Sequence, residues 1–319
     1  GLDFYFTSGS EVPPSFALKI DPSYVSAKMS LVTTSNPINT FDYAESMNRS
    51  TLQPCGNTSV TYTFIQPITT LANFTRFVSR NVDNSTGEIR KSIVLSSCGA
   101  VNGSRIEDLS ALKDVTKITG DLIIMDCPTL TSLKGANKLR TISKSLIIQS
   151  NPNLRNVSGL SSLEYVGGSF TLEENPKLRS FAGLGKLKDI GASLGIEMSQ
   201  FRSLRGLGGL ESIGGQLIVT SNDNMRTLKG LDSLTRIGAT AMIKYNQMLG
   251  DLSGLHLLQE IGGSLDVQLN SKLMNLTGLE NLKTVRGSFA VFNNPELTNI
   301  EQLLSLAYVG GSFLIGSNE

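Results

Sequence analysis

Apolar residues return at fixed positions along most of this chain, and the return has a period of 24. In the stretch that begins at Val157, the apolar residues are Val157, Leu160, Leu163, Val166, Phe170, Leu172 and Leu178, at offsets 0, 3, 6, 9, 13, 15 and 21. The same frame restarts at Leu109, Leu133, Phe181, Leu204, Leu228, Leu252, Leu276 and Ile300, every 24 residues except for 23 between Phe181 and Leu204. The pair at offsets 13 and 15 has the two-residue period of a strand, as in Leu122/Ile124, Leu146/Ile148, Leu217/Val219, Leu265/Val267 and Phe289/Val291. Offsets 0 to 9 advance in threes, which suits extended or 3₁₀-like segments passing round corners.

A single turn of this length cannot cover its own apolar side. Stacked turns can, because each column of like residues then lies on the column below at about 4.8 Å. The repeat therefore predicts an all-β fold over residues 89–319: a right-handed parallel β-solenoid of about nine visible 24-residue turns after an irregular first coil. Each buried Leu, Ile or Val contributes on the order of 1.5–3 kcal/mol, so a continuous aliphatic core is expected to hold the array.

Glycine and asparagine mark the corners. Gly-Gly recurs at 167–168, 214–215, 262–263 and 310–311, and a second column runs through Gly135, Gly159, Gly183, Gly206, Gly230, Gly254 and Gly278. Both columns imply positive φ or close approach between turns. No complete phosphate-binding glycine motif accompanies them. An asparagine column follows the strand: Asn151, Asn175, Asn222, Asn246, Asn270, Asn294 and Asn318. Its expected task is to bond backbone groups of the neighbouring coil, since buried polar groups need partners. A row of ligands for a metal or sugar is the alternative.

The entrance to the array carries cysteine in the asparagine position. Ile93-Val-Leu95-Ser-Ser-Cys98 aligns with Leu122-Ile-Ile124-Met-Asp-Cys127, which places Cys98 and Cys127 on adjacent coils within disulfide range. A Cys98–Cys127 bond is expected, with Cys55–Cys98 as the alternative. Residues 1–88 lack the repeat. Phe16–Ile20, Ser26–Val32 and Ser59–Ile65 read as strands of a β-sandwich-like N-terminal domain. Leu2-Asp-Phe4-Tyr-Phe6 is a further apolar strand, belonging to that sheet or donated to a neighbouring subunit.

Composition narrows the function. The net charge is +1, with no basic run to suit nucleic acid, and no apolar stretch is long enough to cross a bilayer. Asn-x-Ser/Thr acceptor sites fall at Asn48, Asn57, Asn73, Asn84, Asn102, Asn156 and Asn275, five of the seven before residue 105. That clustering points to the secretory pathway and a cell-surface or extracellular protein. Catalytic chemistry is not expected. The single His256 stands at an outward offset with no nucleophile and acid around it, and neither H-x-x-x-H nor C-x-x-C occurs. Glu173, Glu174 and Asp266 occupy ordinary outward positions, and tryptophan, a common platform for sugar rings, is absent. No metal and no cofactor are expected.

The phrase Val166-Gly-Gly-Ser-Phe-Thr-Leu-Glu-Glu-Asn-Pro-Lys-Leu resembles a leucine-rich repeat, including the exchange of Asn for Cys. It is more similar still to the receptor L-domain family, which includes the ligand-binding repeats of insulin and EGF receptors and related fungal cell-wall glycoproteins. The similarity covers about residues 89–319, although the turns here are more uniform than in the receptors. Membership would imply a β-helix-like solenoid at the cell surface that binds without catalysing.

Two functions compete on these grounds. In the first, the outward side of the strand sheet is a recognition or adhesion face for a protein or glycan partner. Offset 14 is unexpectedly apolar there, at Ile123, Ile147, Ile218, Met242 and Leu314, with Met125, Tyr245, Leu269 and Phe292 nearby. The same residues could instead be covered by the N-terminal domain or by a segment outside this sequence. In the second, the chain assembles with copies of itself into an extracellular fibre or wall layer. It begins at Gly1 without Met and stops in mid-turn at Glu319, so more polypeptide or another subunit is expected there. A polysaccharide-active β-helix enzyme is a third and weaker alternative.

Overall fold

The computed structural model describes residues 67–98 and 105–318, together with the backbone of residues 51–52 and 60–61. The chain divides into two compact units, residues 1–67 and 68–319. In the first, Thr51–Leu52 and Val60–Thr61 pair as antiparallel strands. The expected strands Phe16–Ile20, Ser26–Val32 and Leu2–Phe6, like Cys55, Asn48, Asn57 and Asn102, lie outside the described residues.

The second unit is a β-solenoid with little helix. Its main wall is a ten-stranded parallel sheet of four-residue strands, from Ile93–Ser96 and Leu122–Met125 through to Phe289–Phe292 and Phe313–Gly316. Register is that of the repeat: Leu146 pairs with Phe170, Phe170 with Leu194, and Leu265 with Phe289. A second sheet of two-residue strands, such as Tyr165–Val166 and Asp189–Ile190, forms another wall. Short 3₁₀ turns, among them Ser158–Leu160, help close the coil. Every apolar position of the Val157 frame is fully buried, from Val157 through Phe170 and Leu172 to Leu178. The aliphatic columns thus merge into one core running through the unit.

The shortened coil shows how firmly the columns are held. Gln200 alone spans the gap between the asparagine position, here Ser199, and the next core residue, Phe201. Neighbouring coils use two residues there, Pro176-Lys177 and Asp223-Asn224. Phe201 stacks on Phe181, with ring centroids 4.2 Å apart, and both rings are fully buried. Strand register is unaffected, Leu194 pairing with Leu217 across the 23-residue step.

The two glycine columns answer to different constraints. Gly254 has φ +113°, where an added Cβ would also fall 2.2 Å from the Leu228 carbonyl oxygen. Gly262 has no such φ, but its Cβ would meet the Gly238 carbonyl oxygen at 2.1 Å. The Gly254 column is needed for its backbone angle and proximity, except at Gly159, which lacks the positive φ, and the Gly262 column for proximity alone.

The solenoid unit begins at Ile68 and opens with a helix, α1 (Leu71–Asn81), where the sequence suggested only β structure. Phe74 and Val78, one turn apart, are buried in the solenoid core, while the other helical residues are exposed or half-buried. Thr70 caps the helix, its Oγ1 accepting the Asn73 N–H. An amphipathic helix can close the end of a solenoid because it exposes no strand edge and satisfies its own backbone. After α1, Val82–Asp83 and Glu88–Ile89 form a hairpin, and Glu88–Ile89 runs parallel to Lys117–Ile118. Cys98 and Cys127 are joined by a disulfide on adjacent coils, with Cα atoms 4.3 Å apart.

Candidate binding face

The outer side of the ten-stranded sheet presents two columns between the buried ones. The first runs Val94, Ile123, Ile147, Thr171, Gly195, Ile218, Met242, Asp266, Ala290, Leu314. The second runs Ser96, Met125, Gln149, Glu173, Glu197, Thr220, Lys244, Gln268, Phe292, Gly316. Alternation of side chains along each strand puts both on one surface.

The apolar residues singled out from the sequence do share this surface, but not equally. Ile123 and Met125 are buried, at 9% and 7% exposure, so the expectation that Ile123 offers free contact area is not met. Ile147, Ile218, Met242, Leu269 and Phe292 are half-buried, which leaves part of each side chain accessible. Tyr245 and Leu314 are open, at 49% and 52%.

A third column forms the rim of the face, and sequence reading missed its meaning. Immediately after each strand comes a residue with left-handed backbone: Ser97, Asp126, Ser150, Glu174, Met198, Ser221, Tyr245, Leu269, Asn293 and Ser317, with φ between 45° and 57°. The chain has to turn sharply there to bring the following residue inward, and the next residue is asparagine in seven of these coils, buried in six and half-buried at Asn318. No glycine occupies the rim, so composition alone gave no sign of the positive φ.

The asparagine column bonds from coil to coil. Asn175 shows the full pattern: its Nδ2 donates to the carbonyls of Glu173 and Ile148, and its Oδ1 accepts the Asn151 N–H at 3.2 Å. Six of the seven are buried and tie backbone rather than reaching solvent. Among the described residues, no group of three or more His, Cys, Asp or Glu could hold a metal ion.

Charge on the face is uneven. Asp126, Glu173, Glu174 and Glu197 gather over neighbouring coils, and no ion pair among the described residues includes any of them. Thr220 donates to Glu197 and Ser150 to Glu174. Burial holds the Glu173 carboxyl above the usual range, and the nearby Glu197 and Glu174 charges push it the same way. Burial and Glu174 do the same to Asp126. Further along, Lys244 and Asp266 pair with each other at 2.5 Å. His256, exposed as expected, lies off this sheet with Nδ1 3.9 Å from Asp232.

Of the Asn-x-Ser/Thr sites within the described residues, Asn73 and Asn84 are exposed, on α1 and in the hairpin turn. Asn156 and Asn275 are half-buried, and their Oδ1 atoms accept the Ser158 and Thr277 N–H groups. The Nδ2 atom to which a glycan attaches takes no part in those bonds.

A parallel coil ladder with asparagine corners, a disulfide at its entrance and a partly apolar outer sheet defines a β-solenoid repeat module. Residues 88–183 match the family model of the receptor L domain. The coils from residue 184 onward continue the same two sheets in unbroken register. Comparison with curated proteins and with solved structures gives no match.

Proposed function

We propose that this chain is a non-catalytic recognition module of an extracellular or cell-surface glycoprotein, binding its partner on the outer face of the ten-stranded sheet. The observation that carries the reading is the accessible apolar group Ile218, Met242, Tyr245 and Phe292 on a side of the sheet where solvated strands would carry polar residues. The family match supports it, since receptor L domains are ligand-binding rather than catalytic. The Cys98–Cys127 bond fits an oxidising compartment, as do the Asn-x-Ser/Thr sites.

The test is a screen of purified ectodomains and glycans with the intact chain and with an Ile218→Glu, Met242→Glu variant. Any partner bound on this face is released by the double substitution. A Leu257→Glu control, exposed and off the sheet, leaves binding unchanged. Partners insensitive to the double substitution would move the site elsewhere. Expression through a secretory host followed by amidase treatment checks the glycoprotein part, with a loss of mass expected at Asn73 and Asn84.

A further inference from the structure

The left-handed rim column begins at Ser97 and ends at Asn293 and Ser317, and between them reads Asp126, Ser150, Glu174, Met198, Ser221, Tyr245, Leu269. Within that central stretch the first three residues are acidic or polar, and three of the last four are apolar or aromatic. Left-handed backbone is easiest for glycine, asparagine and aspartate. Met198, Tyr245 and Leu269 therefore gain nothing from their backbone angle. Nor does core packing account for the first two, which are 47% and 49% exposed. Large side chains that neither backbone nor core favours, recurring along one rim, fit a contact made outside the fold.

The acidic half has a matching asymmetry. Glu173 and Glu197 stand beside Glu174 without a cation, whereas Lys244 and Asp266 in the apolar half satisfy each other. Negative charge is thus left unbalanced at one end of an apolar strip. Six steps of about 4.8 Å separate Asp126 from Leu269, a span of about 29 Å, which an extended peptide of roughly nine residues would cover.

We infer that this face binds an extended, basic polypeptide segment lying along the ladder axis. Lysine or arginine side chains of the segment meet Glu173, Glu174 and Glu197, and its apolar or aromatic side chains meet Met198, Tyr245 and Leu269. Charge complementarity selects this occupant: a polypeptide can carry cations and apolar groups on one backbone, while anionic surfaces such as nucleic acid are repelled. The inference rests on the reading of the sheet face as a contact surface and adds the chemistry of its partner.

The experiment measures binding of labelled peptides of about twelve residues to the full chain by fluorescence anisotropy, at low and physiological salt. Three peptides are compared, alternating lysine with leucine, glutamate with leucine, and lysine with glycine. The lysine–leucine peptide is expected to bind, with the other two at least about tenfold weaker. A Glu173→Gln, Glu197→Gln variant loses about tenfold in affinity together with most of the salt dependence. A Met198→Ser, Tyr245→Ser variant loses about as much but keeps the salt dependence. Circular dichroism melts establish that both variants remain folded. Equal binding of the lysine–leucine and glutamate–leucine peptides would overturn the basic partner, and the face itself would stand only if the serine variant still weakened binding. Indifference to both variants would remove the face as well. A dimer of the chain that either variant dissolves would assign the surface to a second copy and overturn the inference, as would a neutral glycan displaced by the serine variant.

Discussion

Asn246 accepts the backbone N–H of Asn222 on its Oδ1 at 3.2 Å, and from the same side chain donates Nδ2 to the Val219 carbonyl at 2.9 Å. One amide thereby closes two bonds to the preceding coil, and Asn270 repeats the arrangement on Asn246. Replacing Asn246 by alanine leaves those backbone groups buried without this partner, at a cost of about 2–4 kcal/mol. Serine should cost less, because Ser199 fills the same position and still donates its hydroxyl to the Glu197 carbonyl at 2.8 Å. Urea denaturation of Asn246→Ala and Asn246→Ser measures the order. A loss below about 1 kcal/mol for Asn246→Ala would show that the side-chain amide is not what joins the coils.

Gly254 and Gly208 provide a paired test of the corner argument. At Gly254 a methyl group meets both a positive φ and the Leu228 carbonyl, so Gly254→Ala should destabilise by about 3 kcal/mol or more. At Gly208 nothing lies within 4 Å of a new Cβ, and Gly208→Ala should stay within about 0.5 kcal/mol of the parent. Both are read from denaturation midpoints.

Reduction of Cys98–Cys127 opens a loop closed across 29 residues. The chain-entropy view gives a loss of about 3–4 kcal/mol for such a loop. Hydrogen exchange should locate the loss in the first coils, around Ile93–Ser96 and Leu122–Met125, with the strands beyond Leu217 protected as before. A uniform loss along the solenoid would mean that the array unfolds as one unit.

The acidic part of the face makes stability depend on pH in a definite direction. Burial, then the charges of Glu197 and Glu174, raises the Glu173 carboxyl above its unfolded value. A carboxyl raised on folding contributes stability in its protonated form, fully present below the unfolded pKa and lost as pH rises through the folded one. Wild-type stability should therefore fall from the acid side across the carboxylate range into neutral pH at this site. Glu173→Gln should flatten that dependence and be the more stable protein at pH 7. A variant less stable than wild type at pH 7 would contradict the assignment.

Tyr245 joins backbone cost to surface exposure. Asparagine tolerates its φ of 57° better, so Tyr245→Asn should raise stability by about 0.5–1 kcal/mol while weakening binding on the outer face. Thermal melts and the anisotropy titration report the two effects separately. Loss of stability would mean that the tyrosine is held by packing within the fold.

How much could be read from residues alone follows from these cases. The period of 24 and the pair at offsets 13 and 15 determined the parallel ladder, because a core built of like residues admits one register, and Phe170 pairs with Leu146 and Leu194 as that register requires. The same logic placed Cys98 against Cys127 and the asparagines in one column. What needed tertiary structure was whatever the repeat does not encode. Helix α1 carries Phe74 and Val78, with the half-buried Phe77, toward the core, a signal too short to stand out until the open end of the solenoid supplies something to cover. The left-handed rim is set by the path of the chain into the asparagine position, so residues as unlike as Asp126, Met198 and Tyr245 share one conformation without a common side chain to announce it. Exposure, too, was a property of the assembled surface: Ile123 and Met242 occupy equivalent positions in the repeat, and one is buried while the other is half-buried. Sequence determines which residues face outward, because side chains alternate along a strand. Only the packed structure decides how much of each meets solvent, because that depends on neighbours the repeat does not specify.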